Sequence, residues 1–542
     1  MKFVTLIALY VALNICNAEI FTALATMKRA LYIEKKLAEQ LRSYAPLIAD
    51  KVASEQVAKI AEDYDRIADE SLVEPEGYLA NPVNAYMLCK RFTTELVDLK
   101  QLLTSPALKA AFDDQLYIYR TEMPDREDFT GVIDALLRLQ DTYEIPPLHF
   151  VDGTFSPAGN SPRMTASDCF EIGKYAYDKG DKYHALMWLL ESLSSYELEG
   201  ASYSMDKILL LDYLIYAADD QGNPRHALNY ANDLLALNPT NERTRSRIQD
   251  VIRWLHSEIA TENKTLLEQN RKIPSQTHLP PIQNKRTLKR AATQEFLNYE
   301  ALCRGEDLKP NPNEHKLTCF YSSANRDPLL VLAPAKVEVL YEEPLVWIFH
   351  DVISDNEIGV VKGLATPLLK RAVVNDPKTG KLVTAQYRVS RSSWLYDVDH
   401  PIVATLSKRI SAMGNVDLET AEPLQVVNYG IGGQYEPHFD HSRENDPKVF
   451  KPGQGNRIAT WMFYLSDVPA GGYTVFTEIG VRIPPIKGAA AFWLNLHKNG
   501  RGNALTRHAG CPVLSGSKWV ANKWIHVVGQ EKRRPCSLDE NK

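Results

Sequence analysis

The sequence predicts a multidomain protein in which an α-helical N-terminal half is followed by a β-rich domain. Its 542 residues are too many for a single hydrophobic core. Apolar residues recur three and four positions apart through the N-terminal half, which is the spacing of one face of a helix. After about Pro344 the pattern changes to short runs of aromatic and β-branched residues separated by glycine and proline. Such runs predict many short strands arranged as a sandwich or barrel.

Residues 1–18 have the layout of a secretory signal peptide. Lys2 precedes an apolar run that is too short to span a bilayer, and Ala18 follows at the cleavage position. No later segment is apolar for long enough to form a transmembrane helix, so we expect a mature chain that is lumenal or secreted. The composition, 44% hydrophobic and 24% charged, is that of a globular protein, and the net charge of −6 argues against nucleic acid as the main partner.

The cysteines predict disulfides, because six of the seven remain once the signal peptide is removed and thiols oxidise in that compartment. The predicted pairs, chosen by closeness in the sequence and by the strands they bracket, are Cys303–Cys319 and Cys511–Cys536. Cys89 and Cys169 are then left over. A zinc site built from Cys511, His508 and Cys536 is the alternative, but it lacks the closely spaced pairs of thiolates that structural zinc sites use.

Residues 19–160 are predicted to form a helical N-terminal region. From Ile20 to about Leu103 apolar residues recur at helical spacing with charged residues between them, as in a long amphipathic helix. Such a helix must bury its apolar stripe. Self-association in a coiled-coil-like arrangement would bury it, and so would packing against the rest of the same chain; the spacing favours neither.

Residues 161–262 contain an internal repeat. The segment DKGDKYHALMWLLESL, from Asp178, is echoed by DQGNPRHALNYANDLLALNP, from Asp220, with Gly180 and Gly222 in register. Each copy predicts a helix, a glycine turn and a second helix with alanine at its close-packing position. This is the tetratricopeptide layout, although the spacing exceeds the usual length of about 34 residues. Stacked helical hairpins of this kind form grooves that hold extended peptides.

Residues 263–342 are predicted to be a linker. Between Asn263 and about Glu295 the sequence is polar, basic and interrupted by proline. The rest of the predicted linker is a loop that carries Cys303 and Cys319. The tripeptide Asn263-Lys264-Thr265 is a glycosylation sequon, which predicts a surface site in a secreted chain.

Residues 343–542 form the predicted β-rich domain and carry the clearest chemical signal. In EPHFDHSREN, His438 and Asp440 are two residues apart and would share one face of a strand. Alone, such a pair is usually two polar residues on a surface strand. His508 in a later strand completes a set of two histidines and one carboxylate, the ligand set of non-haem Fe(II) oxygenases. Lys518, ten residues further on, would supply a fixed cation for the remote carboxylate of a bound oxo-acid.

Several stretches of the sequence closely resemble the α subunits of collagen-type prolyl 4-hydroxylases. The C-terminal ones are EPHFDHSREN, GNRIATWMFYLSDV, GGYTVFTEIG, TRHAGCPV and KWVANKWIHVVGQEKRRPC. The N-terminal ones are PEGYLANPVNAYMLCKR, LLRLQDTYEI, FEIGKYAYDKGDKYHALMW and LLDYLIYA. The resemblance covers nearly the whole mature chain. It implies a helical dimerisation region, a tetratricopeptide-like peptide-binding domain and a catalytic domain with the double-stranded β-helix, or jelly-roll, fold of Fe(II)/2-oxoglutarate dioxygenases.

Carried over residue by residue, the resemblance implies roles in the catalytic domain. The implied iron ligands are His438, Asp440 and His508. Lys518 would bind the C5 carboxylate of 2-oxoglutarate, Tyr429 and Thr474 would line its pocket, and His526 would act in catalysis by orienting the oxo-acid. The implied peptide-binding residues are Tyr435, Arg457 and Trp524. For His526 the alternative is an ordinary strand histidine with its hydrogen bonds satisfied.

The resemblance also implies that Tyr213 and Tyr216 bind the peptide in the helical domain. They are three residues apart on a predicted helix and share one face. Their alternative role is packing between the repeat helices. Family members commonly carry a further tyrosine one turn on, where this chain has Asp219. That difference predicts weaker binding of polyproline, or a preference for substrates with basic residues near the proline.

The implied reaction converts a peptidyl proline in X-Pro-Gly sequences to 4-hydroxyproline with O₂ and 2-oxoglutarate, releasing succinate and CO₂. The resemblance also implies L-ascorbate, which rescues iron oxidised in uncoupled turnovers, and protein disulfide isomerase as the β subunit of an α2β2 tetramer. The sequence ends in SLDENK with no KDEL-like signal, so retention in the endoplasmic reticulum lumen is expected to depend on that partner.

Two alternatives from other classes stay open. One is a non-catalytic scaffold that uses only the peptide-binding repeat, and the complete ligand set together with Lys518 argues against it. The other is a related lumenal oxygenase that acts on lysine or on a proline-rich protein other than collagen. In lysyl hydroxylases an arginine holds the oxo-acid, so Lys518 favours proline.

Overall fold

The structure is a computed structural model. It describes residues 23–154, 160–199, 205–237, 242–269, 279–286, 293–308, 311, 313–324, 326–376, 379–443, 450 and 453–539. The predicted signal peptide lies outside these residues. The described residues up to Glu144 and from Gln294 onward form one compact unit, and those between Ile145 and Thr293 form another. Within the described residues, none of the helices combines the length and the hydrophobicity that crossing a bilayer requires.

The first unit begins with a group of helices. They are α1 (Leu24–Tyr44), α2 (Lys51–Val73), α3 (Pro75–Leu79), α4 (Pro82–Lys90), α5 (Leu96–Leu102), α6 (Pro106–Tyr119) and α7 (Arg126–Tyr143). The long helix expected from the sequence is broken at Pro46, which lies in a 3₁₀ turn. Asp50 then caps α2 by accepting a hydrogen bond from the backbone of Ala53. Helices α1 and α2 pack against each other within the chain, and self-association stays a prediction.

The second unit is helical. Its elements are α8 (Pro147–Val151), α9 (Ala166–Asp178), α10 (Lys182–Glu199), α11 (Lys207–Asp220), α12 (Pro224–Leu237) and α13 (Glu242–Glu268). Helices α9 with α10, and α11 with α12, form the two hairpins that the internal repeat predicts. The turns need Gly180 and Gly222, which have φ values of +87° and +77° that other residues rarely adopt. The tetratricopeptide-like fold is confirmed.

The linker expected from residue 263 onward begins inside α13, which continues to Glu268. Ile248 and Leu255, in the first half of this helix, are buried at helical spacing. Asn263 is therefore helical, and its side-chain oxygen accepts a hydrogen bond from Arg225. Glycosylation of Asn263 stays a prediction.

Most of the strands after residue 318 belong to two sheets. The first sheet contains β1 (Cys319–Ser322), β2 (Ala335–Tyr341), β3 (Val346–His350), β15 (Ala490–Leu494), β11 (Arg457–Tyr464), β18 (Lys518–His526), β9 (Leu424–Tyr429), β8 (Arg391–Leu395) and β4 (Lys370–Arg371), in that order. The second contains β14 (Val481–Ile483), β13 (Thr474–Phe476), β16 (His508–Gly510), β10 (Gln434–His438) and β7 (Arg388–Val389). Two further pairs are β5 (Val373–Asn375) with β6 (Leu382–Thr384), and β12 (Ala470–Gly471) with β17 (Val513–Ser515).

Strand alternation places side chains of the first sheet in two cores. In β11, Trp461 and Phe463 join the core that the sheet forms with helices α15 (Asp355–Ala365) and α16 (Pro401–Gly414). Met462 and Tyr464 point the other way, into a core formed by residues of both sheets. The two packed sheets confirm the predicted jelly-roll class, and the candidate site lies on this second face.

Both predicted disulfides are wrong. The structure joins Cys303 to Cys511, across 208 residues of sequence, and leaves Cys319 and Cys536 as exposed thiols. The reason is the helix α14 (Gln294–Arg304), which packs on β13 and buries Cys303 in a small core that includes Cys511. Closeness in sequence did not predict the pairing, because the packing of α14 decides which cysteines meet.

Candidate active site

Two neighbouring antiparallel strands bring the predicted ligands together. His438 ends β10 and His508 begins β16, and the two residues are directly paired across the strands. Asp440 follows β10 by two residues, with its carboxylate oxygens 3.8 Å from Nε2 of His438 and 3.7 Å from Nε2 of His508. One potential ligand atom from each residue lies within 4.8 Å of the others. The predicted cluster is thus present as a compact, largely buried group.

Backbone carbonyls determine which histidine nitrogens are available. Nδ1 of His438 lies 2.8 Å from the carbonyl oxygen of Glu436, and Nδ1 of His508 lies 2.9 Å from that of Thr506. A carbonyl only accepts, so each Nδ1 carries the proton and each Nε2 keeps its lone pair. Burial, and then the neighbouring His508, hold the pKa of His438 well below its usual value, which favours the neutral ring.

Asp440 is ionised and held in place. Burial opposes its charge, but His508, His438 and Arg457 outweigh burial, and the pKa falls to about 2. Its Oδ2 accepts a hydrogen bond of 2.7 Å from the Thr460 hydroxyl. The Thr460 oxygen in turn accepts one of 3.0 Å from Asn495. Two imidazole lone pairs and a carboxylate therefore face one another at distances too long for hydrogen bonds, an arrangement that fits a divalent cation.

Aromatic rings fix the two histidines. The Tyr435 ring is stacked on His438, with centroids 3.5 Å apart, and burial raises the pKa of Tyr435 to about 12. The Trp493 ring meets His508 edge to face at 4.8 Å. Because the Tyr435 and Trp493 rings pack against the two imidazoles, neither imidazole can rotate freely away from Asp440.

Lys518 provides a buried positive charge in the same cavity. It begins β18, is 3% exposed, and its Nζ lies 3.5 Å from the Thr474 hydroxyl. Burial lowers the pKa of Lys518 to about 7. In the part of the chain that the structure describes, no carboxylate lies within ion-pair distance of this ammonium group. A buried cation without a protein anion is costly, so the site suits a ligand that brings its own carboxylate.

One cavity holds most of the residues that the sequence singled out. Its lining includes His438, Asp440, His508, Lys518, Tyr429, Thr474, Tyr435 and Trp524. The sequence analysis missed other lining residues. These include Arg388, Thr460, Met462, Trp493 and Asn522. A signal existed for Asn522, because Lys518 and Trp524 share its face of β18 by alternation.

Arg457 and His526 do not line this cavity. Both contact Glu422: the Arg457 guanidinium pairs with its carboxylate, and His526 Nε2 lies 3.2 Å from Oε1 of that group. His526 Nδ1 lies 2.8 Å from the Gly455 carbonyl, so both of its ring nitrogens are in hydrogen bonds. The family resemblance made His526 a candidate; it ends β18, on the same strand face as Lys518. These contacts are those of the alternative, a strand histidine with satisfied hydrogen bonds, and a catalytic role for His526 stays a prediction.

Arg457 nevertheless lies next to the site. Its guanidinium carbon is 4.0 Å from the centre of the Trp524 ring, which does line the cavity. One of its nitrogens donates to the backbone oxygen of Asp440 at 3.3 Å. Arg457 thus contacts both the backbone of the candidate metal ligand Asp440 and the cavity-lining residue Trp524 without lining the cavity itself.

In the helical unit, Tyr213 and Tyr216 are both half-buried on α11. The Tyr213 ring meets Phe170 and Tyr177 edge to face, at 5.7 Å and 5.5 Å, and its hydroxyl lies 3.3 Å from an oxygen of Asp178. Partial exposure shows that Tyr213 is not confined to the core between the helices. Peptide binding by these tyrosines stays a prediction.

Comparisons with known proteins agree with this arrangement. Three family descriptions match the chain: "Prolyl 4-Hydroxylase alpha-subunit, N-terminal region" over residues 23–157, "Prolyl 4-hydroxylase peptide-substrate-binding domain" over 166–256, and "2OG-Fe(II) oxygenase superfamily" over 424–526. The sequence is 43% identical to prolyl 4-hydroxylase subunit alpha-1 of Rattus norvegicus, over 97% of each chain. It is 41% identical to the Homo sapiens subunit alpha-1, over 99% of each chain, and 42% identical to the Gallus gallus subunit alpha-2, over 97% of this chain and 96% of the relative.

Among solved structures, a viral collagen prolyl hydroxylase from Paramecium Bursaria Chlorella virus-1 is 26% identical, covers 34% of this chain and 96% of its own, and has a TM-score of 0.28.

The sheet-rich domain and its His-Asp-His cluster define an oxygenase of the class that uses Fe(II) and 2-oxoglutarate. With relatives above 40% identity that span nearly its full length, the chain belongs to the prolyl 4-hydroxylase α-subunit family.

Proposed function

We propose that the protein hydroxylates peptidyl prolines at C4 in collagen-like X-Pro-Gly sequences, using O₂ and 2-oxoglutarate and releasing succinate and CO₂. The observation that carries this proposal is the presence of two features in one cavity: the three-residue cluster and the buried ammonium group of Lys518. The relatives are prolyl 4-hydroxylase subunits, which is the reason for choosing proline as the modified residue.

His438, Asp440 and His508 would hold the metal through Nε2 atoms and a carboxylate oxygen. When bound, Fe(II) activates O₂ with 2-oxoglutarate as the electron donor and supplies the oxidant for C–H hydroxylation. The chain's own residues prepare this site before any ligand arrives. The carbonyls beside His438 and His508 keep the protons on Nδ1, and Thr460 keeps Asp440 oriented towards the two rings.

Lys518 would bind the C5 carboxylate of 2-oxoglutarate, with Thr474 and Tyr429 beside it. The Tyr464 hydroxyl lies 3.0 Å from the Thr474 oxygen, which fixes the position of that side chain. The register of the first sheet pairs Lys518 directly with Tyr429. A buried cation that binds the C5 carboxylate, in the same cavity as residues that would hold a metal, would restrict the oxo-acid to one orientation.

The substrate proline would enter beside Tyr435 and Trp524, two of the aromatic residues that line the cavity. Flat proline rings pack well against aromatic faces, and polyproline II peptides lose little entropy on binding. Arg457, stacked on Trp524, would hold that wall in position. Longer proline-rich segments would also bind Tyr213 and Tyr216 on the helical unit.

The same proposal includes the finer features of the family. These are L-ascorbate to restore oxidised iron, protein disulfide isomerase as the β subunit of an α2β2 tetramer, self-association through the N-terminal helices, location in the endoplasmic reticulum lumen after loss of residues 1–18, and glycosylation at Asn263. The relatives' membership of one family and the sequence signals described above support them.

The test is mass spectrometry of peptides incubated with the purified full chain in its assembled form, Fe(II), 2-oxoglutarate and O₂. A peptide of X-Pro-Gly repeats should gain oxygen on the proline that precedes glycine, with one succinate formed per hydroxyl group. A peptide of the same composition in which no proline precedes glycine is the matched control and should stay unmodified. Oxygen gained on lysine, or no gain on either peptide, would contradict the proposal.

A further inference from the structure

A helix far from the metal ligands in sequence touches the loops that carry the cavity. Helix α7 lies in the N-terminal region, yet Arg138 donates a hydrogen bond of 2.6 Å to the backbone oxygen of Gly432. Gly432 belongs to the turn between β9, which ends at Tyr429, and β10, which carries Tyr435 and His438. This contact spans 294 residues of sequence.

The end of the same helix reaches a second loop. The hydroxyl of Tyr143 donates a hydrogen bond to the backbone oxygen of Pro512. Burial raises the pKa of Tyr143 well above its usual value, so the hydroxyl keeps the proton that it donates. Pro512 lies just after β16, the strand that begins with His508. Arg138 and Tyr143 therefore contact the two segments that flank the candidate metal site.

These two loops are also bonded to each other. The Gly432 nitrogen donates to the Val513 oxygen at 2.8 Å, and the Val513 nitrogen donates to the Gly433 oxygen at 3.1 Å. Helix α7 thus covers a junction between two loops, and any shift at that junction moves both.

The approach of the helix is closer than a side chain on the turn would permit. A Cβ atom at Gly432 would lie 2.6 Å from the Cβ of Ala135, and the φ of Gly432 is +63°. At Gly471 a Cβ atom would lie 2.5 Å from the Tyr143 hydroxyl oxygen. Glycine lets the backbone pack directly on the helix at Gly432 and on the Tyr143 side chain at Gly471, which leaves the junction little room to move.

We propose that α7 is a positioning element of the active site, in which Arg138 and Tyr143 hold the loop junction and thereby hold Tyr429, which lines the oxo-acid pocket, and the metal ligand His508 in the geometry that binds the oxo-acid. This positioning role rests on the proposed function, which identifies the ligand as 2-oxoglutarate. It makes the N-terminal helical region a working part of the catalytic unit, in addition to any part it has in self-association.

The experiment compares the full chain, in its assembled form, with Arg138→Ala, Tyr143→Phe and Arg126→Ala. Tyr143→Phe removes one hydroxyl and no packing volume, so it tests the proposal even if Arg138→Ala folds poorly. Arg126 is an exposed arginine on the same helix and is the matched control. Binding of 2-oxoglutarate is measured by calorimetry with Mn(II) in place of Fe(II), so that no turnover occurs. Hydrogen–deuterium exchange is measured on peptides that cover residues 429–438 and 508–515.

Loss of a hydrogen bond from a charged donor should weaken 2-oxoglutarate binding by about tenfold in Arg138→Ala, and loss of the neutral one by severalfold in Tyr143→Phe. Exchange in the two peptides should rise in both variants and stay unchanged in Arg126→Ala. Affinity within twofold of wild type in both variants overturns the role of α7, even if exchange rises, because the contact would then be structural only. If the wild-type protein itself does not bind 2-oxoglutarate, the proposed function fails, and this role fails with it.

Discussion

Replacing Lys518 with methionine removes the buried ammonium group but keeps most of the side-chain volume. Lys518 is 3% exposed and, within the described residues, has no carboxylate partner, so a bound C5 carboxylate would lose its cation in a site from which water is largely excluded. Leaving a buried charge unpaired costs about 3–5 kcal/mol, which is roughly a 10²- to 10⁴-fold increase in the dissociation constant. Turnover at saturating 2-oxoglutarate should change far less, because that carboxylate is remote from the reacting carbons.

The assay measures KM and kcat for 2-oxoglutarate, together with the dissociation constant in the absence of O₂. Lys523→Met is the matched control, since Lys523 is a buried lysine on the same strand, 4% exposed, whose Nζ lies 3.8 Å from Asp397 and which does not line the cavity. An unchanged KM in Lys518→Met would refute the reasoning. So would an equal rise in the two variants, because this would reflect damage to β18 and no specific pairing.

The pKa of Lys518 adds a pH dependence to the same prediction. Burial lowers the pKa to about 7, and the protonated form is the one that binds a carboxylate. Below this pKa the ammonium is already present and the affinity should be constant. As the pH rises through about 7, the free protein loses the proton and must regain it to bind, so the dissociation constant should rise by up to tenfold per pH unit. This rise should be absent from Lys518→Met, and a flat profile in the wild type would contradict the assignment.

Three other predictions concern the metal cluster and the peptide. Asp440→Ala should abolish metal binding and turnover while the unfolding midpoint of the metal-free protein stays near that of the wild type; activity retained in this variant would remove the iron assignment. Thr460→Val should lower metal affinity by about 10- to 100-fold and Thr460→Ser should restore it, as measured by metal titration, because only a hydroxyl can orient the carboxylate. Tyr213→Ala and Tyr216→Ala should weaken the hydroxylation of long proline-rich peptides and spare very short ones; an unchanged ratio of the two efficiencies would assign these tyrosines to the core.

Asp219 places a carboxylate with a raised pKa in the helical unit, near Tyr213 and Tyr216 in the sequence. It is half-buried near the end of α11, and burial, with Glu258 and Asp220 nearby, raises its pKa to about 6. At neutral pH the carboxylate is therefore mostly ionised, in keeping with the preference for basic residues that the sequence suggested. Exchange of Asp219 for tyrosine is the direct way to ask whether this position affects the choice of peptide.

The parts of the fold that could be predicted from sequence are those that depend on local periodicity. The spacing of two residues correctly predicted that His438 and Asp440 share one site, although β10 ends at His438 and Asp440 lies just beyond the strand. The glycine turns at Gly180 and Gly222 were enough to define two helical hairpins. The break at Pro46 was missed because apolar spacing continues on both sides of it. A proline after a helical run was a local signal that could have ended α1 at Tyr44.

What could not be predicted depends on contacts between distant segments. Thr460 orients Asp440 from a strand twenty residues away, and a threonine within an apolar strand gives no sign of its partner. The disulfide predictions failed for the same reason. Because α14 packs on β13, Cys303 meets Cys511, and its closeness in sequence to Cys319 does not matter.

The contact between α7 and the loop junction combines both kinds of information. A pair of glycines at Gly432 and Gly433, between two strands that carry ligand and pocket residues, can be recognised in the sequence as a turn. The sequence gives no sign that a helix packs against this turn and leaves no room for a side chain there. Gly432 satisfies two demands at once, a positive φ and a 2.6 Å approach of its missing Cβ to Ala135, and either would be enough to require glycine. A turn glycine beside an active site therefore raises the question of what packs against it, and here the answer is the N-terminal helical region.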